Sequence, residues 1–214
     1  TGPNKYFLAD KKIIPEIIEA MKRAYLSRYS FLGDPDFNNI KTKHLYSDEY
    51  TKKLADSINI NQTSPSKQLL DLPITDLESE DTAHISVVDS SGSAVSSTHT
   101  INGYLGSGFV AEGTGILMNN EMDDFTSNPG KANLYGLLDG EANNIQSEKR
   151  MLSSMSPSMV FDQNGDLLLV LGSPGGSKII TTCLHVLLNI IDKKMSLKEA
   201  TNHPRFPHQW FPDK

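Results

Sequence analysis

Apolar residues recur at helical spacing near the start of the chain. Between Ile14 and Arg28 they stand at positions 14, 17, 18, 21 and 25, which predicts a helix with one buried stripe. Pro15 suits its first turn, where a missing N–H removes no hydrogen bond. The segment SDEYTKKLADSI, residues 47–58, predicts a second helix. Residues 61–81 are polar, contain proline and become acidic, so they predict a linker or exposed loop.

The pattern becomes typical of β-structure at Thr82. AHISVVD and SAVSSTHTI lie on either side of SSG and predict a hairpin. GTGILMNN, residues 113–120, predicts a third strand, and SMVFDQNGDLLLVLG predicts a fourth and a fifth joined at Asn164–Gly165. Two helices follow, one from about Lys178 to Ile191 and a short one in SLKEATN. Strands followed by a separate group of helices favour an α+β fold.

The first hairpin has a testable register. A three-residue loop over residues 90–92, with glycine in the left-handed conformation, makes the numbers of opposed residues sum to 182. The resulting pairs on one face are Thr82 with Thr100, His84 with Thr98, and Ser86 with Ser96. Paired side chains lie about 5 Å apart at Cβ, so two threonines can share a hydrogen bond.

Two interpretations of the threonine pair remain open at this point. Threonine favours strands, and a half-exposed pair needs no catalytic role. Alternatively, Thr82 is a nucleophile, which requires a base because its hydroxyl is unreactive alone. Cleavage between Asp81 and Thr82 would create that base, since the new α-amine has an ordinary pKa of about 8.

Composition excludes several classes of partner. The net charge is −6, from 26 acidic and 20 basic residues, and no block of basic residues is present, which argues against nucleic acid. No run approaches the roughly 20 apolar residues needed to span a membrane. The single cysteine, Cys183, lies in an apolar segment that predicts a buried structural thiol, and one cysteine does not reveal the compartment.

Four segments, in order along the chain, resemble the γ-glutamyltranspeptidase family of N-terminal nucleophile hydrolases. They are DTAHISVVDSSGSAVSSTHTINGYLGSG, GILMNNEMDDF, LSSMSPSMV and GSPGGSKIITT. The resemblance implies a four-layer αββα sandwich, and it implies no cofactor and no metal. Residues 1–81 resemble the C-terminal part of a large chain, and residues 82–214 resemble most of a small chain that carries the catalytic β-sandwich. The two parts are expected to form one structural domain, and to remain a heterodimer after cleavage between them.

The resemblance also implies roles for particular residues. Thr82 is the expected nucleophile and cleaves the chain before itself, and Thr100 orients it and contributes to substrate binding. Gly175 and Gly176 are expected to form the oxyanion hole, because backbone N–H groups can approach a developing oxyanion closely where no side chain intervenes. The remaining residues are expected to bind the α-amino and α-carboxylate groups of a γ-glutamyl substrate; they are Asn102, Glu121, Asp124, Ser153 and Ser154.

The expected enzyme transfers the γ-glutamyl group of glutathione or similar compounds to water, amino acids or dipeptides. Poly-γ-glutamate and acylated β-lactam side chains are alternative substrates of related enzymes. The rival hypothesis is an unprocessed or inactive homologue that acts only in binding or assembly, since no segment resembles the family motif whose arginine pairs the substrate carboxylate. That motif is expected upstream of residue 1, as is a secretory signal or a membrane anchor. The resemblance to the family implies an extracellular, periplasmic or outer-surface location.

Overall fold

A computed structural model describes residues 13–39, 42–66, 82–128 and 130–210, and its helices and strands confirm the α+β class. The helices are α1 (Ile14–Phe31), α2 (Thr42–Leu45), α3 (Asp48–Asp56), α4 (Ile179–Ile191) and α5 (Leu197–Asn202). The strands are β1 (Thr82–Val88), β2 (Ala94–Thr100), β3 (Ser158–Phe161) and β4 (Leu167–Leu171). No helix in these described ranges is long and apolar enough to cross a lipid bilayer.

The chain divides into two compact units that are not continuous in sequence. The first takes its described residues from 1–75, 125–152 and 208–214, and the second from 76–124 and 153–207. Every residue that the sequence predicts to be catalytic or substrate-binding belongs to the second unit. Residues 67–81 of the predicted linker, including Asp81, lie outside the described residues.

The first unit contains α1, α2 and α3. Helix α1 confirms the first predicted helix, with Pro15 in its first turn and Met21 and Tyr25 on its buried side. Helix α3 confirms the second, and the Ser47 hydroxyl caps it by accepting a 3.3 Å hydrogen bond from the Tyr50 N–H. Such caps stabilise a helix because the first N–H groups have no partner inside it.

The second unit is built from two antiparallel hairpins, β1–β2 and β3–β4. Two serine hydroxyls of the first hairpin donate to backbone carbonyls of β4: Ser86 to Val170 at 3.3 Å and Ser96 to Leu171 at 3.0 Å. Ser86 and Ser96 are paired and project from the same face of the first hairpin, so these bonds hold β4 against that face.

Helix α4 covers β4 and builds the core of the second unit. The buried cluster consists of Leu171, Ile179, Cys183, Val186 and Ala200. Burial raises the pKa of the Cys183 thiol and confirms the prediction of a buried structural cysteine. Helix α5, the short helix predicted in SLKEATN, begins with a capping box formed by Ser196 and Glu199.

The predicted third strand is wrong. In the described residues between β2 and β3, GTGILMNN begins in a turn and then lies antiparallel to residues 107–111, with one isolated bridge between Val110 and Leu117 and no regular strand. Gly113 and Gly115 have φ angles of 74° and 70°. These left-handed conformations reverse the chain where a strand would need extended backbone, so the apolar residues of the segment do not continue a sheet.

Candidate active site

The threonine pair forms as the register predicted. Thr82 lies opposite Thr100, and the Thr82 hydroxyl donates a 3.2 Å hydrogen bond to Thr100 Oγ1. The loop of the hairpin sets this pairing, with Gly92 at a φ of 85° and the Asp89 carboxylate accepting from the N–H groups of Ser91 and Ser93. A shift of one residue would turn Thr100 to the opposite face, so the loop decides whether the two hydroxyls meet.

Asn102 extends this pair. Its backbone N–H donates to Thr100 Oγ1 at 2.9 Å, so that oxygen accepts hydrogen bonds from both Thr82 and Asn102. Asn102 is 2% exposed and has a φ of 70°, a left-handed conformation that is uncommon outside glycine. Thr82, Thr100 and Asn102 therefore form one hydrogen-bonded chain.

A short acidic turn follows in sequence. Glu121 to Asp124 form a single 3₁₀ turn, and Asn119 Oδ1 accepts from the Glu121 N–H at 3.0 Å. Asp124 is buried and Glu121 is partly buried. Burial raises the pKa of Glu121, and a hydrogen bond with the Asp124 carboxyl group opposes that rise. The turn thus concentrates acidic groups that can receive a cation with several N–H donors.

Ser153 and Ser154 lie in the extended segment that leads into β3. The Ser153 hydroxyl accepts from the Met155 N–H at 3.1 Å. The Ser154 hydroxyl is buried and has no hydrogen-bond partner among the described residues. Leaving a buried polar group unsatisfied costs about 1–3 kcal/mol, so this hydroxyl is suited to binding a polar group of a ligand.

Gly175 and Gly176 lie between β4 and α4, with φ angles of 123° and 54°. Residues Gly176–Lys178 form a 3₁₀ turn that runs into α4, and the span of α4 confirms the helix predicted from about Lys178 to Ile191. Both conformations are unfavourable for a residue with a Cβ. The glycines therefore place their backbone N–H groups beside the positive end of a helix, where an anion is favoured.

Strand pairing brings these segments to one end of the β3–β4 hairpin. Ser158 pairs with Leu171, so the serine segment enters the hairpin where the glycine segment leaves it. His84, on the same strand face as Thr82, lies against the backbone at Gly172. Within the described residues Thr82 makes no hydrogen bond to either pair, so the roles of Ser153, Ser154, Gly175 and Gly176 stay predictions.

Two residues near the threonine pair had no place among the predicted site residues. His84 Nδ1 is 2.8 Å from Thr98 Oγ1 and its Nε2 is 3.0 Å from Ser86 Oγ, so its ring is held on both sides. Asn120 contacts the turn that contains Asn102. The predicted register of the first hairpin had already placed His84 on the same face as Thr82. No rule of residue spacing predicts the contact between Asn120 and Asn102.

Comparisons with known proteins agree on one family. A family model described as γ-glutamyltranspeptidase matches residues 4–214. The glutathione hydrolase proenzyme of Escherichia coli (strain K12) is 47% identical over 209 residues, which cover 98% of this chain and 36% of that protein. The glutathione hydrolase proenzyme of Pseudomonas sp. (strain A14) is 46% identical over 196 residues, covering 92% of this chain and 34% of that protein. This chain therefore spans about a third of the length of these relatives.

Solved structures give the same result. A crystal structure of Helicobacter pylori γ-glutamyltranspeptidase is similar with a TM-score of 0.59 and 55% identity, covering 61% of this chain and 70% of that chain. A structure of γ-glutamyltranspeptidase from Pseudomonas nitroreducens complexed with L-DON is similar with a TM-score of 0.59 and 50% identity, covering 61% of this chain and 67% of that chain.

Proposed function

Because this chain belongs to the γ-glutamyltranspeptidase family, we propose that it cleaves γ-glutamyl amides such as glutathione through a covalent ester on Thr82. The observation that carries the proposal is the hydrogen bond between Thr82 and Thr100, at the first described residue after the predicted cleavage position. The names of the relatives support it, since they are glutathione hydrolase proenzymes.

The proposed maturation makes its own catalyst. Thr82 Oγ1 attacks the carbonyl carbon of Asp81, the peptide C–N bond breaks, and Asp81 becomes esterified to Thr82. Water then hydrolyses the ester, which leaves a carboxylate on Asp81 and a free α-amine on Thr82. The word proenzyme in the relatives' names supports such a step, as does an acivicin-inhibited γ-glutamyltranspeptidase structure whose description refers to autoprocessing.

The proposed reaction uses that amine as the general base. The 3.2 Å contact with Thr100 Oγ1 positions the Thr82 hydroxyl before the reaction. The hydroxyl proton then leaves this hydrogen bond and passes to the α-amine while Oγ1 bonds to the γ-carbonyl carbon. The N–H groups of Gly175 and Gly176 stabilise the oxyanion. The amine of the leaving group then departs with a proton, and water or an amino acid takes the γ-glutamyl group from the ester.

The charges of the surrounding residues suit a free amino acid head group. Glu121 and Asp124 supply acidic oxygens, and Asn102 supplies an amide oxygen, for an α-ammonium group with three donors. The buried Ser154 hydroxyl and the neighbouring Ser153 supply neutral donors for the α-carboxylate. This set favours γ-glutamyl compounds over substrates that lack a free head group.

We further propose the four-layer αββα sandwich, with the two products of cleavage held together as a heterodimer. The two hairpins joined through β4, with α4 packed against them, are compatible with a layered β-sandwich covered by helices. The TM-scores near 0.6 with γ-glutamyltranspeptidases support the same architecture.

A variant comparison tests the function. The purified protein, Thr82→Ala and Thr82→Ser are incubated and then assayed with a chromogenic γ-glutamyl anilide, and their chains are identified by N-terminal sequencing. We expect the unmodified protein to yield a chain beginning Thr-Ala-His-Ile and to release the anilide. Thr82→Ala should do neither, and Thr82→Ser should retain part of both. Equal release by Thr82→Ala, or an intact chain with full activity, would contradict the proposal and favour a binding or assembly role.

A further inference from the structure

Asn120 contacts three consecutive residues of the turn that follows β2. Its N–H donates to the Ile101 carbonyl at 3.2 Å, and its carbonyl accepts from Asn102 Nδ2 at 3.3 Å. Its side-chain Oδ1 accepts from the Gly103 N–H at 2.8 Å. One residue therefore holds the backbone on both sides of Asn102 and the side chain of Asn102 itself.

The turn needs such support because Asn102 is strained. A left-handed conformation is unfavourable for a residue with a side chain, although asparagine tolerates it better than most. A conformation of this kind persists only where its surroundings enforce it. Asn102 is almost completely buried, and the contacts of Asn120 provide that enforcement.

The strained conformation has a consequence for the nucleophile. The turn that contains Asn102 places the Asn102 N–H 2.9 Å from Thr100 Oγ1, and the same oxygen accepts from the Thr82 hydroxyl. The Asn102 N–H belongs to the same peptide unit as the Ile101 carbonyl, which accepts from the Asn120 N–H, and the Gly103 N–H held by Asn120 Oδ1 belongs to the next unit. With Asn102 left-handed, Asn120 bonds to both units at once and holds the turn in the orientation that keeps the Asn102 N–H on Thr100 Oγ1. The contacts therefore run in order from Asn120, through the turn, to Thr82.

We propose that Asn120 is a positioning residue for the nucleophile: its Oδ1 fixes the left-handed turn at Asn102, which in turn orients Thr100 and Thr82. The inference rests on the proposed function, in which Thr82 forms the ester. It adds a residue that touches neither the substrate nor the reacting atoms. Asn120 also directly precedes Glu121, so one residue connects the nucleophile to the acidic turn.

Substitutions at Asn120 separate its side-chain acceptor from its backbone contacts. Asn120→Ala removes Oδ1 and retains both backbone bonds, whereas Asn120→Asp retains an oxygen in the same position. With a γ-glutamyl anilide, we expect Asn120→Ala to lower kcat about tenfold, because the turn that positions Thr100 and Thr82 loses one hydrogen bond. Asn120→Asp should keep kcat within about threefold, although its charge beside the acidic turn will change KM.

A double substitution distinguishes positioning from a general structural role. Glycine adopts a φ of 70° without strain, so in an Asn102→Gly background the turn no longer needs the side chain of Asn120. We expect Asn120→Ala to lower kcat by less than about threefold in that background, while KM stays raised by the loss of the Asn102 side chain. Equal decreases in kcat in the two backgrounds would overturn the proposal.

Controls cover misfolding and failure of the underlying function. Asn202→Ala removes an exposed side chain that, among the described residues, bonds only to the Lys198 carbonyl at 2.8 Å, and it should leave kcat unchanged. If Asn120→Ala does not fold, Asn120→Thr is used in its place, because the threonine hydroxyl is too short to reach the Gly103 N–H. A wild-type kcat in either variant would refute the inference. Activity that survives Thr82→Ala would instead refute the proposed function, independently of the results at Asn120.

Discussion

Gly172→Ala is the substitution whose effect the structure defines most closely. A Cβ at this position would lie 2.2 Å from both Cε1 and Nδ1 of His84, and 2.7 Å from its Cγ. Ordinary contacts begin near 3.4 Å, so the ring or strand β4 must move by more than 1 Å. The φ of Gly172 lies outside the left-handed region, so alanine suits the backbone and the clash alone decides the outcome.

The ring of His84 has little freedom to move away. It is held by Thr98 Oγ1 at 2.8 Å and by Ser86 Oγ at 3.0 Å. Overpacking costs about 1–3 kcal/mol, and breaking one of these hydrogen bonds adds about 0.5–1.5 kcal/mol. We therefore expect Gly172→Ala to lower the free energy of unfolding by about 2–4 kcal/mol, and Tm by about 5–15 °C for a chain of this size.

Calorimetry of a double-mutant cycle measures the clash directly. Gly172→Ala is compared in the native background and in His84→Ala, where removal of the ring leaves room for the new Cβ. We expect a coupling free energy of about 1–3 kcal/mol, so Gly172→Ala should lower the free energy of unfolding much less in the His84→Ala background. Ser173→Ala, at the next position, should shift stability by less than about 0.5 kcal/mol. Additive effects of the two substitutions would show that His84 and Gly172 are not in contact.

Two further predictions concern buried charges of the first unit. Arg28 and Asp139 form a buried ion pair, so Arg28→Met should lower the free energy of unfolding in urea by about 3–5 kcal/mol. Adding Asp139→Asn to the Arg28→Met variant should restore part of that free energy, and no restoration would argue against the ion pair. Hydrogen bonds from Arg150 hold the pKa of Asp34 well below its usual value. The stabilisation is therefore complete above the unfolded pKa of about 3.9 and is lost as pH falls below it. Asp34→Asn should flatten the decrease in Tm between pH 5 and 2, and an unchanged acid profile would contradict this reasoning.

Local features of the sequence were enough to predict much of the second unit. The three-residue loop ending in Gly92 set the register of β1 and β2, because side-chain orientation alternates strictly along a strand. The turn at Asn164–Gly165 joined β3 to β4, although a bulge between Val160 and Phe161 shifts their register. Periodic apolar residues likewise marked α1, and a nearly continuous apolar segment marked α4.

In two places the pattern of apolar residues did not predict the structure, because left-handed backbone conformations set the path of the chain there. The apolar residues of 113–120 indicated a strand, but the left-handed glycines at 113 and 115 reverse the chain. The left-handed turn at Asn102 was equally hidden, because asparagine only tolerates that conformation and Asn120, distant in sequence, imposes it.

By itself, the sequence determined helices α1, α3, α4 and α5, the two hairpins and the pairing of Thr82 with Thr100, because each depends on neighbouring residues or on one short turn. Helix α2 was not predicted. Only the tertiary structure decided that residues 125–152 join the first unit, that Asn120 supports Asn102 and that His84 lies against Gly172. These depend on contacts between residues far apart along the chain, and no local period or propensity encodes which distant partner a side chain will meet.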